Sequence, residues 1–167
     1  MKKFELTTNT KMFLGKKLFQ IKALINFGDV EAGELGGYIE KEENLDYDGN
    51  AWVYGDAWVY GNARVYGDAC VSGNARVYGN AWVYGDACVS GNACYTTIKG
   101  FGREYRTTTF FKCKDGKVRV QCGCFYGDLE EFRAIVKKTH GESKKAKEYL
   151  MIADLMELHF EENENDK

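Results

Sequence analysis

Residues 50–91 read NAWVYGDAWVYGNARVYGDACVSGNARVYGNAWVYGDACVSG, which is one six-residue unit, Asn/Asp-Ala-x-Val-Tyr/Ser-Gly, repeated seven times without a gap. A fixed short period of this kind predicts stacked coils of one backbone. Within each unit, Ala-x-Val-Tyr reads as a strand whose side chains alternate between two faces, and Gly-Asn/Asp reads as a corner with unusual backbone dihedrals. We therefore predict that Ala and Val fill a narrow interior, while the x and Tyr/Ser residues face outward.

A longer period of eighteen residues lies inside the first one, because the unit DACVSG occurs at 68–73 and again at 86–91. Three hexads close a triangular coil, so residues eighteen apart should stack at the sheet spacing of ~4.8 Å. Arginine beside tryptophan on two faces indicates cation–π stacking between coils. The first outer face carries Trp52, Tyr54, Cys70, Ser72, Cys88 and Ser90; the second carries Trp58, Tyr60, Arg76, Tyr78, Cys94 and Thr96; the third carries Arg64, Tyr66, Trp82 and Tyr84.

The spacing resembles that of the hexapeptide-repeat, left-handed parallel β-helix family. The resemblance implies that the coils are left-handed, which the period itself does not determine. We accordingly predict a mainly β protein: a short left-handed parallel β-helix with an N-terminal cap, a C-terminal β-hairpin and two α-helices. The open end of the coils is a sheet edge that must be covered. Residues 1–45 are predicted to form that cap, ahead of the repeat region at 46–97.

After residue 97 the hexad is lost, and different elements are predicted. Residues 98–127 should contain a β-hairpin with its turn at Asp115-Gly116, a register that places Cys113, Cys122 and Cys124 on one face. Residues 128–160 should contain two helices, the first opened by the capping box of Asp128 and Glu131 and the second running from about Ser143 to Phe160. EENENDK at 161–167 reads as an acidic tail.

Both flanking segments carry a further resemblance. KKLFQIKALINFGDVEAGELGGYIEKEENL at 16–45 resembles the leader of many bacteriophage and prophage hexapeptide-repeat proteins. REYRTTTFFKCKDGKVRVQCGCFYGDLEEF at 103–132, followed by THG at 139–141, is similar to the tail module of the same group, with its TTTF…CGCF…HG pattern. The resemblance implies a phage or prophage origin. It does not imply a particular activity for this chain.

Bulk composition restricts where the protein works and what it binds. A net charge of −2 argues against nucleic acid as an electrostatically driven partner. The first residues contain no apolar run suited to a signal peptide or a membrane span, so we expect a protein in the cytoplasm of the bacterial host with no membrane partner. The six cysteines are then expected to be free thiols. This includes Cys70 and Cys88, which should stack but point the same way.

Catalytic and metal sites can be formulated, but neither is favoured. Many hexapeptide β-helix proteins are acyltransferases with a histidine base near the coils, whereas His140 and His159 lie outside the repeats. Cys113, Cys122, Cys124 and His140 could form a Cys₃His zinc site, but the apolar neighbours make buried thiols the simpler interpretation. We therefore expect no catalysis, no metal and no cofactor.

A polar cluster at the start of the C-terminal region is a candidate anion-binding site. Its guanidiniums and hydroxyls could bind a phosphate or a carboxylate. The competing interpretation is an ordinary β-strand, in which Thr is favoured and Arg lies outward. The cluster consists of Arg103, Arg106, Thr107, Thr108 and Thr109.

The outward aromatic and arginine side chains point most directly to a function. Soluble monomers rarely leave a large apolar patch open to water, and Trp, Tyr and Arg are enriched at protein–protein hot spots. Our hypothesis is a phage-encoded, non-enzymatic module that binds a host protein, inhibits an anti-phage defence system and forms homo-oligomers. An acyltransferase-like enzyme and a purely structural self-assembling module are the alternatives. The predicted binding residues are Trp52, Trp58, Tyr60, Arg64, Tyr66, Arg76, Tyr78, Trp82 and Tyr84.

One outer face differs from the other two because its side chains are small. Cys70, Ser72, Cys88 and Ser90 form a smooth strip, and small side chains allow another element to approach closely. We predict that the second helix, or a neighbouring subunit, packs on this strip and buries both thiols. The seven repeat valines should be buried in the interior, beside the alanines from 51 to 93.

Overall fold

The structure is a computed structural model that describes residues 1–161. The first strands are β1 (Phe4–Phe13), β2 (Lys16–Ala23) and β3 (Leu35–Ile39). Seven two-residue strands follow: β4 (Trp52–Val53), β5 (Trp58–Val59), β6 (Arg64–Val65), β7 (Cys70–Val71), β8 (Arg76–Val77), β9 (Trp82–Val83) and β10 (Cys88–Val89). The last elements are β11 (Tyr95–Phe101), β12 (Arg106–Lys112), β13 (Val118–Cys122), β14 (Phe125–Asp128), α1 (Leu129–His140) and α2 (Lys144–Phe160). The protein is therefore mainly β with two helices, as the sequence predicts.

The short strands β4 to β10 confirm the eighteen-residue period. Backbone N–H groups of one coil donate to carbonyl oxygens of the next coil, as in the 3.0 Å bond from Trp52 to Ala69. The three sides of the coil lie in three separate sheets, so the repeats form a three-sided β-solenoid. The parallel pairs are Trp52–Cys70, Cys70–Cys88, Trp58–Arg76 and Arg64–Trp82.

The solenoid interior is the narrow apolar column that the alternation predicts. All seven repeat valines are at most 1 % exposed, and the repeat alanines from Ala51 to Ala87 are equally buried. Ala93 is the exception, because residues Asn92–Cys94 form a 3₁₀ turn that leaves it exposed. Tyr95 stands where the next valine would be and begins β11. The parallel ladder of the second outer face therefore ends at β8, and Thr96 borders that face beside Arg76 and Tyr78.

The solenoid begins earlier than the predicted boundary at residue 46. β3 pairs in parallel with β5, joining Tyr38 to Trp58, and Leu45 bridges Val65. Ile39 and Leu45 occupy interior positions equivalent to the repeat valines and are 0 % and 1 % exposed. Both pairs are twenty residues apart rather than eighteen, so the corner after Leu45 contains two extra residues. This insertion conceals the first coil from a search for hexads.

An antiparallel hairpin of β1 and β2 closes the N-terminal end of the solenoid. It extends the sheet that contains β3, β5 and β8. Its turn lies at Leu14 and Gly15, whose φ angles are 48° and 76°, as a two-residue type I′ turn requires. The hairpin therefore serves as the cap that the exposed sheet edge needs.

The cap also buries Trp52, which the sequence analysis assigned to the outer binding surface. Trp52 is 0 % exposed. Its ring centroid lies 5.3 Å from that of Phe27 and 6.3 Å from that of Phe4. Trp52 belongs to the first coil, over which the N-terminal segment folds, so its assignment to a binding surface is wrong.

A four-stranded antiparallel sheet, β11 to β14, covers the other end of the solenoid. Side chains of β12 alternate, so that Phe111 joins the solenoid core while Phe110 joins the core formed with the helices. In the last coil, the backbone N–H of Trp82 donates to the Thr109 side-chain oxygen Oγ1 at 3.1 Å. β12 therefore stands between the last coil and the helices and provides polar partners for the coil.

The predicted register of the β12–β13 hairpin is wrong by one residue. Lys112 pairs with Val118, and the Cys113 N–H donates to the Lys117 carbonyl, which leaves a three-residue loop at 114–116. The last loop residue, Gly116, has φ 78°, and a three-residue loop that ends in a left-handed residue is a common alternative to the two-residue turn. Relative to β12, this shift of one residue places the side chains of β13 on the face opposite to the predicted one. Cys122 therefore does not share a face with Cys113.

Both helices pack on the face of the C-terminal sheet that points away from the solenoid. The capping box of α1 is confirmed: Glu131 N–H donates to Asp128 Oδ1 at 2.9 Å, and Asp128 N–H donates to Glu131 Oε2 at 2.8 Å. Tyr149, Ile152 and Met156 of α2 are buried in the same core as Phe132 of α1.

The helices do not reach the strip of small residues on the first outer face. Cys70, Ser72 and Cys88 are half-buried, and Ser90 is exposed. The prediction that α2 packs on this strip is wrong, because β12 separates the helices from the coils. The apolar side chains of α2 are used instead to cover the C-terminal sheet.

Most of the predicted acidic tail, residues 162–167, lies outside the described residues. In the described range 1–161, no helix is both long enough and apolar enough to cross a membrane.

Candidate functional site

A cleft of about 490 Å³ lies between the third outer face of the solenoid and the C-terminal sheet. One wall contains Arg64 and Trp82 of the third face, and the other contains Arg106 and Thr107 at the start of β12. From the sequence, these two groups were predicted separately, as an outer binding face and as an anion-binding cluster. The structure brings them together around one cleft.

The cleft carries an excess of positive charge. Lys41, Arg64, Lys99 and Arg106 line it, and Glu43 is the single carboxylate among the described lining residues. Charges of one sign in a concave surface raise the local concentration of oppositely charged ligands, and guanidiniums bind carboxylates and phosphates with two parallel hydrogen bonds. The arrangement therefore favours an anionic ligand, although the net charge of the chain is −2.

Amide side chains fix polar groups on both walls. Lys41 Nζ donates to Asn62 Oδ1 at 3.3 Å, and Asn62 Nδ2 donates to Asn80 Oδ1 at 3.3 Å. Asn62 and Asn80 are corner residues one coil apart, so the solenoid period stacks their amides. On the sheet wall, the buried Gln121 donates to the Gly123 carbonyl at 2.7 Å. These bonds restrict the side chains that a ligand would meet.

Trp82 is the tryptophan of the cleft and is 39 % exposed. The Arg64 guanidinium lies 5.8 Å from its ring centroid, which confirms the predicted cation–π pair on this face. Tyr66 packs edge-on against Trp82 and stacks on Tyr84, with ring centroids 4.5 Å apart in the stacked pair. Burial, with Tyr84 nearby, raises the pKa of Tyr66 to about 12. The two tyrosines are therefore packing residues, and Trp82 is more accessible to a ligand.

The predicted anion-binding residues divide between the cleft and a second pocket, and Arg106 lines both. Arg106 and Thr107 line the cleft. Thr108 points to the opposite face of β12, is 1 % exposed, and donates its hydroxyl to Cys122 Sγ at 3.1 Å. Arg103 stands in the connection between β11 and β12, beside residues of α1. Successive strand residues alternate faces, and this alternation separates Thr107 from Thr108.

The second outer face forms a different surface, together with the N-terminal hairpin. The Arg76 guanidinium lies 4.3 Å from the ring centroid of Trp58 and 5.0 Å from that of Phe13. Phe13 also packs edge-on against Trp58 and Tyr60, which are half-buried. Tyr60 stacks on Tyr78, which is 54 % exposed. Arg76 and Tyr78 are therefore the accessible members of this predicted binding face.

The four residues considered for zinc binding do not form one site, because Cys113 lies apart from Cys122, Cys124 and His140, which border one pocket. Cys113 faces the solenoid, where burial, with Asp86 nearby, raises the pKa of its thiol to about 12; Cys122 faces the helices. Within residues 1–161, no three His, Cys, Asp or Glu side chains are grouped so as to hold a metal ion. His140 ends α1 and His159 lies in α2, so neither imidazole is carried by a coil.

Most lining residues of the cleft were not predicted as site residues, among them Lys41, Glu43, Lys99 and Gln121. Lys41 and Glu43 fall in the segment assigned to the cap, and the directions of Lys99 and Gln121 depend on the strand register. The sequence feature that could have indicated this site is the resemblance of both flanking segments to one group of proteins. The cleft lies where these two segments approach the solenoid.

Comparison with known protein families identifies a relationship for the solenoid. A family model described as the YdcK beta solenoid repeat matches residues 57–73 and 69–85. The chain contains a β-solenoid repeat. The match includes Arg64 and Trp82 of the cleft but neither flanking segment, and it covers less than half of the chain. No curated protein matches this sequence. The chain is thus similar to this family in its solenoid. The match does not indicate which ligand the cleft binds.

Proposed function

We propose that this protein is a non-catalytic binding protein whose cationic cleft holds an acidic segment of a partner protein. The observation that carries the proposal is the convergence of Lys41, Arg64, Lys99 and Arg106 around the exposed indole of Trp82. Carboxylates on a polypeptide suit this set because guanidiniums bind them in a bidentate manner. Trp and Arg are also the side chains that contribute most at protein–protein interfaces.

An acidic protein segment fits the cleft better than a nucleic acid does. A long polyanion extends beyond the cleft, where it would meet a protein surface of net negative charge, since the chain carries −2 overall. A short acidic segment experiences chiefly the local positive field. The volume of about 490 Å³ is also suited to a few side chains.

We extend the proposal to the origin and the target of the protein. The segments at 16–45 and 103–132 resemble the flanking modules of phage and prophage hexapeptide-repeat proteins. We therefore propose a phage-encoded protein that acts in the cytoplasm of the bacterial host and inhibits a host protein of an anti-phage defence system. The same resemblance supports a left-handed course for the solenoid coils. Both segments supply lining residues, Lys41 from the first and Arg106 from the second.

Fluorescence anisotropy with a labelled hexaglutamate peptide tests the cleft. The wild-type protein should bind the peptide at low ionic strength and release it as salt is added, because salt screens exposed charges. The double variant Arg64→Gln/Lys99→Gln should weaken binding by about tenfold or more. The matched control Lys145→Gln/Lys147→Gln removes two exposed lysines of α2 that do not line the cleft, and it should bind as the wild type does.

Two results would overturn the acidic-segment proposal. Equal binding of a hexaglutamine peptide would show that charge is not recognised, and tighter binding of oligothymidylate would assign the cleft to nucleic acid. For the cellular target, immobilised wild-type protein should retain a dominant partner from host lysate, and the Arg64→Gln/Lys99→Gln variant should lose it. Retention that is unchanged in the variant would place the partner on another surface.

A second candidate function, self-assembly, is favoured by an apolar row on α2. The lysine Lys144 lies at the start of this helix and Glu161 follows its end, so antiparallel packing of two copies of α2 would bring unlike charges together. Leu155→Glu should then convert an oligomer into a monomer in light scattering, and a monomeric wild type would exclude this candidate. The row consists of Met151, Leu155 and Leu158, which are 71 %, 53 % and 64 % exposed.

A further inference from the structure

Three segments of the C-terminal region that are distant in sequence meet around a second pocket. They are residues 103–106 between β11 and β12, residues 122–125 at the turn between β13 and β14, and the end of α1 at Thr139 and His140. These are the REYR, CGCF and TH portions of the tail segment singled out in the sequence. Other residues of this segment, among them Thr107 and Gln121, line the cationic cleft, and Arg106 lines both sites. Arg103, Phe125 and His140 line the pocket alone, so it is a second site beside the cleft.

The body of the pocket is apolar. It has a volume of about 320 Å³, within the range of small-molecule sites. Phe132 at its wall packs edge-on against Tyr149, with ring centroids 5.6 Å apart. A ligand that fills this space gains by removing apolar surface from water. The apolar lining residues are Phe101, Phe125, Phe132, Ile135 and Val136.

Charged and hydrogen-bonding groups accompany the apolar body. Arg103 and Arg106 contribute two guanidiniums, against the single carboxylate of Glu104 among the described lining residues. His140 stacks over Tyr149, with ring centroids 6.0 Å apart. Burial, with Cys122 nearby, raises the pKa of Tyr149 to about 12, so its hydroxyl is protonated at neutral pH and donates to the Cys122 sulfur. The pocket therefore combines an apolar interior with net positive charge.

Two glycines allow the polar groups to approach the backbone. Gly123 has φ 60°, and a Cβ at this position would overlap Arg106 Nη1. Gly102 has φ 76°, and a Cβ there would overlap the Tyr149 hydroxyl. L side chains rarely adopt such φ values, so the backbone conformation favours glycine at both positions, and at Gly102 the Tyr149 ring also leaves no space for a Cβ. The Arg106 guanidinium and the Tyr149 hydroxyl are thereby held close to the two loops that border the pocket.

We propose that this pocket binds a small carboxylate with an aromatic or compact aliphatic body. Arg103 and Arg106 bind the carboxylate, while Phe101, Phe125 and Ile135 contact the apolar body. A carboxylate is the matching anion because a guanidinium meets it with two parallel hydrogen bonds, which a neutral amide cannot reproduce. Arg106 also lines the acidic-segment cleft, but Arg103 and Ile135 line this pocket and not the cleft, so these two residues test the pocket independently.

Ligand-observed fluorine NMR with para-trifluoromethylbenzoate tests this site on the full-length protein. The wild type should broaden and shift the fluorine resonance in a saturable manner. The neutral analogue para-trifluoromethylbenzamide should bind about tenfold more weakly, because it lacks the charge that the guanidiniums recognise. Arg103→Gln should weaken benzoate binding by a similar factor, and Ile135→Trp should abolish it by filling the pocket without removing a charge.

A matched control separates this pocket from the cationic cleft. Arg64→Gln removes a guanidinium of the cleft and should leave benzoate affinity unchanged, and circular dichroism confirms that each variant is folded. Four outcomes would overturn the proposal: no saturable benzoate binding, equal binding of the benzamide, equal loss in Arg64→Gln, or full binding in a folded Ile135→Trp. Failure of hexaglutamate to bind the cleft would leave this result intact, because Arg103 and Ile135, whose substitution should weaken benzoate binding, do not line the cleft.

Discussion

The Lys3 ammonium group donates to the carbonyl oxygen of Ala51 at 3.0 Å, although Lys3 is only 1 % exposed. The bond compensates for a missing coil. The repeat alanine carbonyls accept from the coil before them, as Ala69 does from the Trp52 backbone N–H, so the Ala51 carbonyl of the first coil points toward an end where no further coil exists. Lys3 also donates to the Gly49 carbonyl at 3.3 Å. A buried cation therefore takes the place of backbone donors at this end.

Titration of Lys3 should make the stability of the protein depend on pH. Burial lowers the pKa of Lys3 from 10.5 to about 8. Between these two values unfolded Lys3 binds more protons than folded Lys3, so its contribution to the free energy of unfolding should rise with pH, by at most about 1.4 kcal/mol per pH unit. Buried thiols and tyrosines such as Cys113, whose pKa is raised, contribute with the opposite sign in both proteins. In urea unfolding across this window, the stability of the wild type relative to Lys3→Met should therefore increase with pH.

Lys2→Met is the matched control for this titration, because Lys2 is exposed and pairs with Glu42 at the surface. Its stability should follow the pH dependence of the wild type. A difference between wild type and Lys3→Met that stays constant with pH would show that Lys3 binds its proton equally in both states.

The buried side chain of Asn44 should stabilise the first coil of the solenoid, because its amide donates to carbonyls of the second coil. It is 0 % exposed and donates to the Ala63 carbonyl at 2.8 Å and to the Gly61 carbonyl at 3.2 Å. Asn44→Ala leaves buried carbonyls without these donors and should lower the free energy of unfolding by about 1–3 kcal/mol. Asn80→Ala, at an exposed corner, should change it by less than about 0.5 kcal/mol. Equal losses in urea unfolding would contradict this role.

The interior of the coils should not tolerate a larger side chain. Val71 is 0 % exposed among the stacked valines, and Val71→Phe should overpack the column and lower the free energy of unfolding by roughly 1–3 kcal/mol. Ser90→Phe places the same ring at an exposed position of the neighbouring coil and should have little effect. The two variants are compared by the midpoint of urea unfolding at a constant denaturant slope. A Val71→Phe protein as stable as the wild type would indicate room in the interior.

The repeat region was predictable because each of its features is determined locally. The eighteen-residue period fixes which residues stack, and strand alternation fixes that Val53 points inward and Arg64 outward. The cation–π pairs follow from the same spacing. The first coil was not predictable, because two extra residues follow Leu45 and Ile39 replaces the repeat valine. Insertions at a corner leave the stacking intact but remove the period from the sequence.

The C-terminal region was predictable in its hairpin and its two helices, but not in the flanking strands β11 and β14 or in the register of the hairpin. The turn sequence Asp115-Gly116 is compatible with loops of two or three residues, and the choice between them reverses the direction of every side chain on the hairpin. One half of the cleft, Arg64 and Trp82, followed from the period. The other half depends on how β12 docks on the last coil through Phe111 and Thr109, and no local pattern encodes that contact.

The strength of the cation–π pairs should depend on how closely the two groups approach. The Arg76 guanidinium lies 4.3 Å from the Trp58 centroid, and Trp58 is half-buried beneath the N-terminal hairpin. A double-mutant cycle with Arg76→Met and Trp58→Leu should give a coupling energy of about 0.5–2 kcal/mol. The matched cycle with Arg64→Met and Trp82→Leu should give less, because that pair is 5.8 Å apart and both residues are exposed. Coupling in the second pair that equals or exceeds that in the first would refute a dependence on distance and burial.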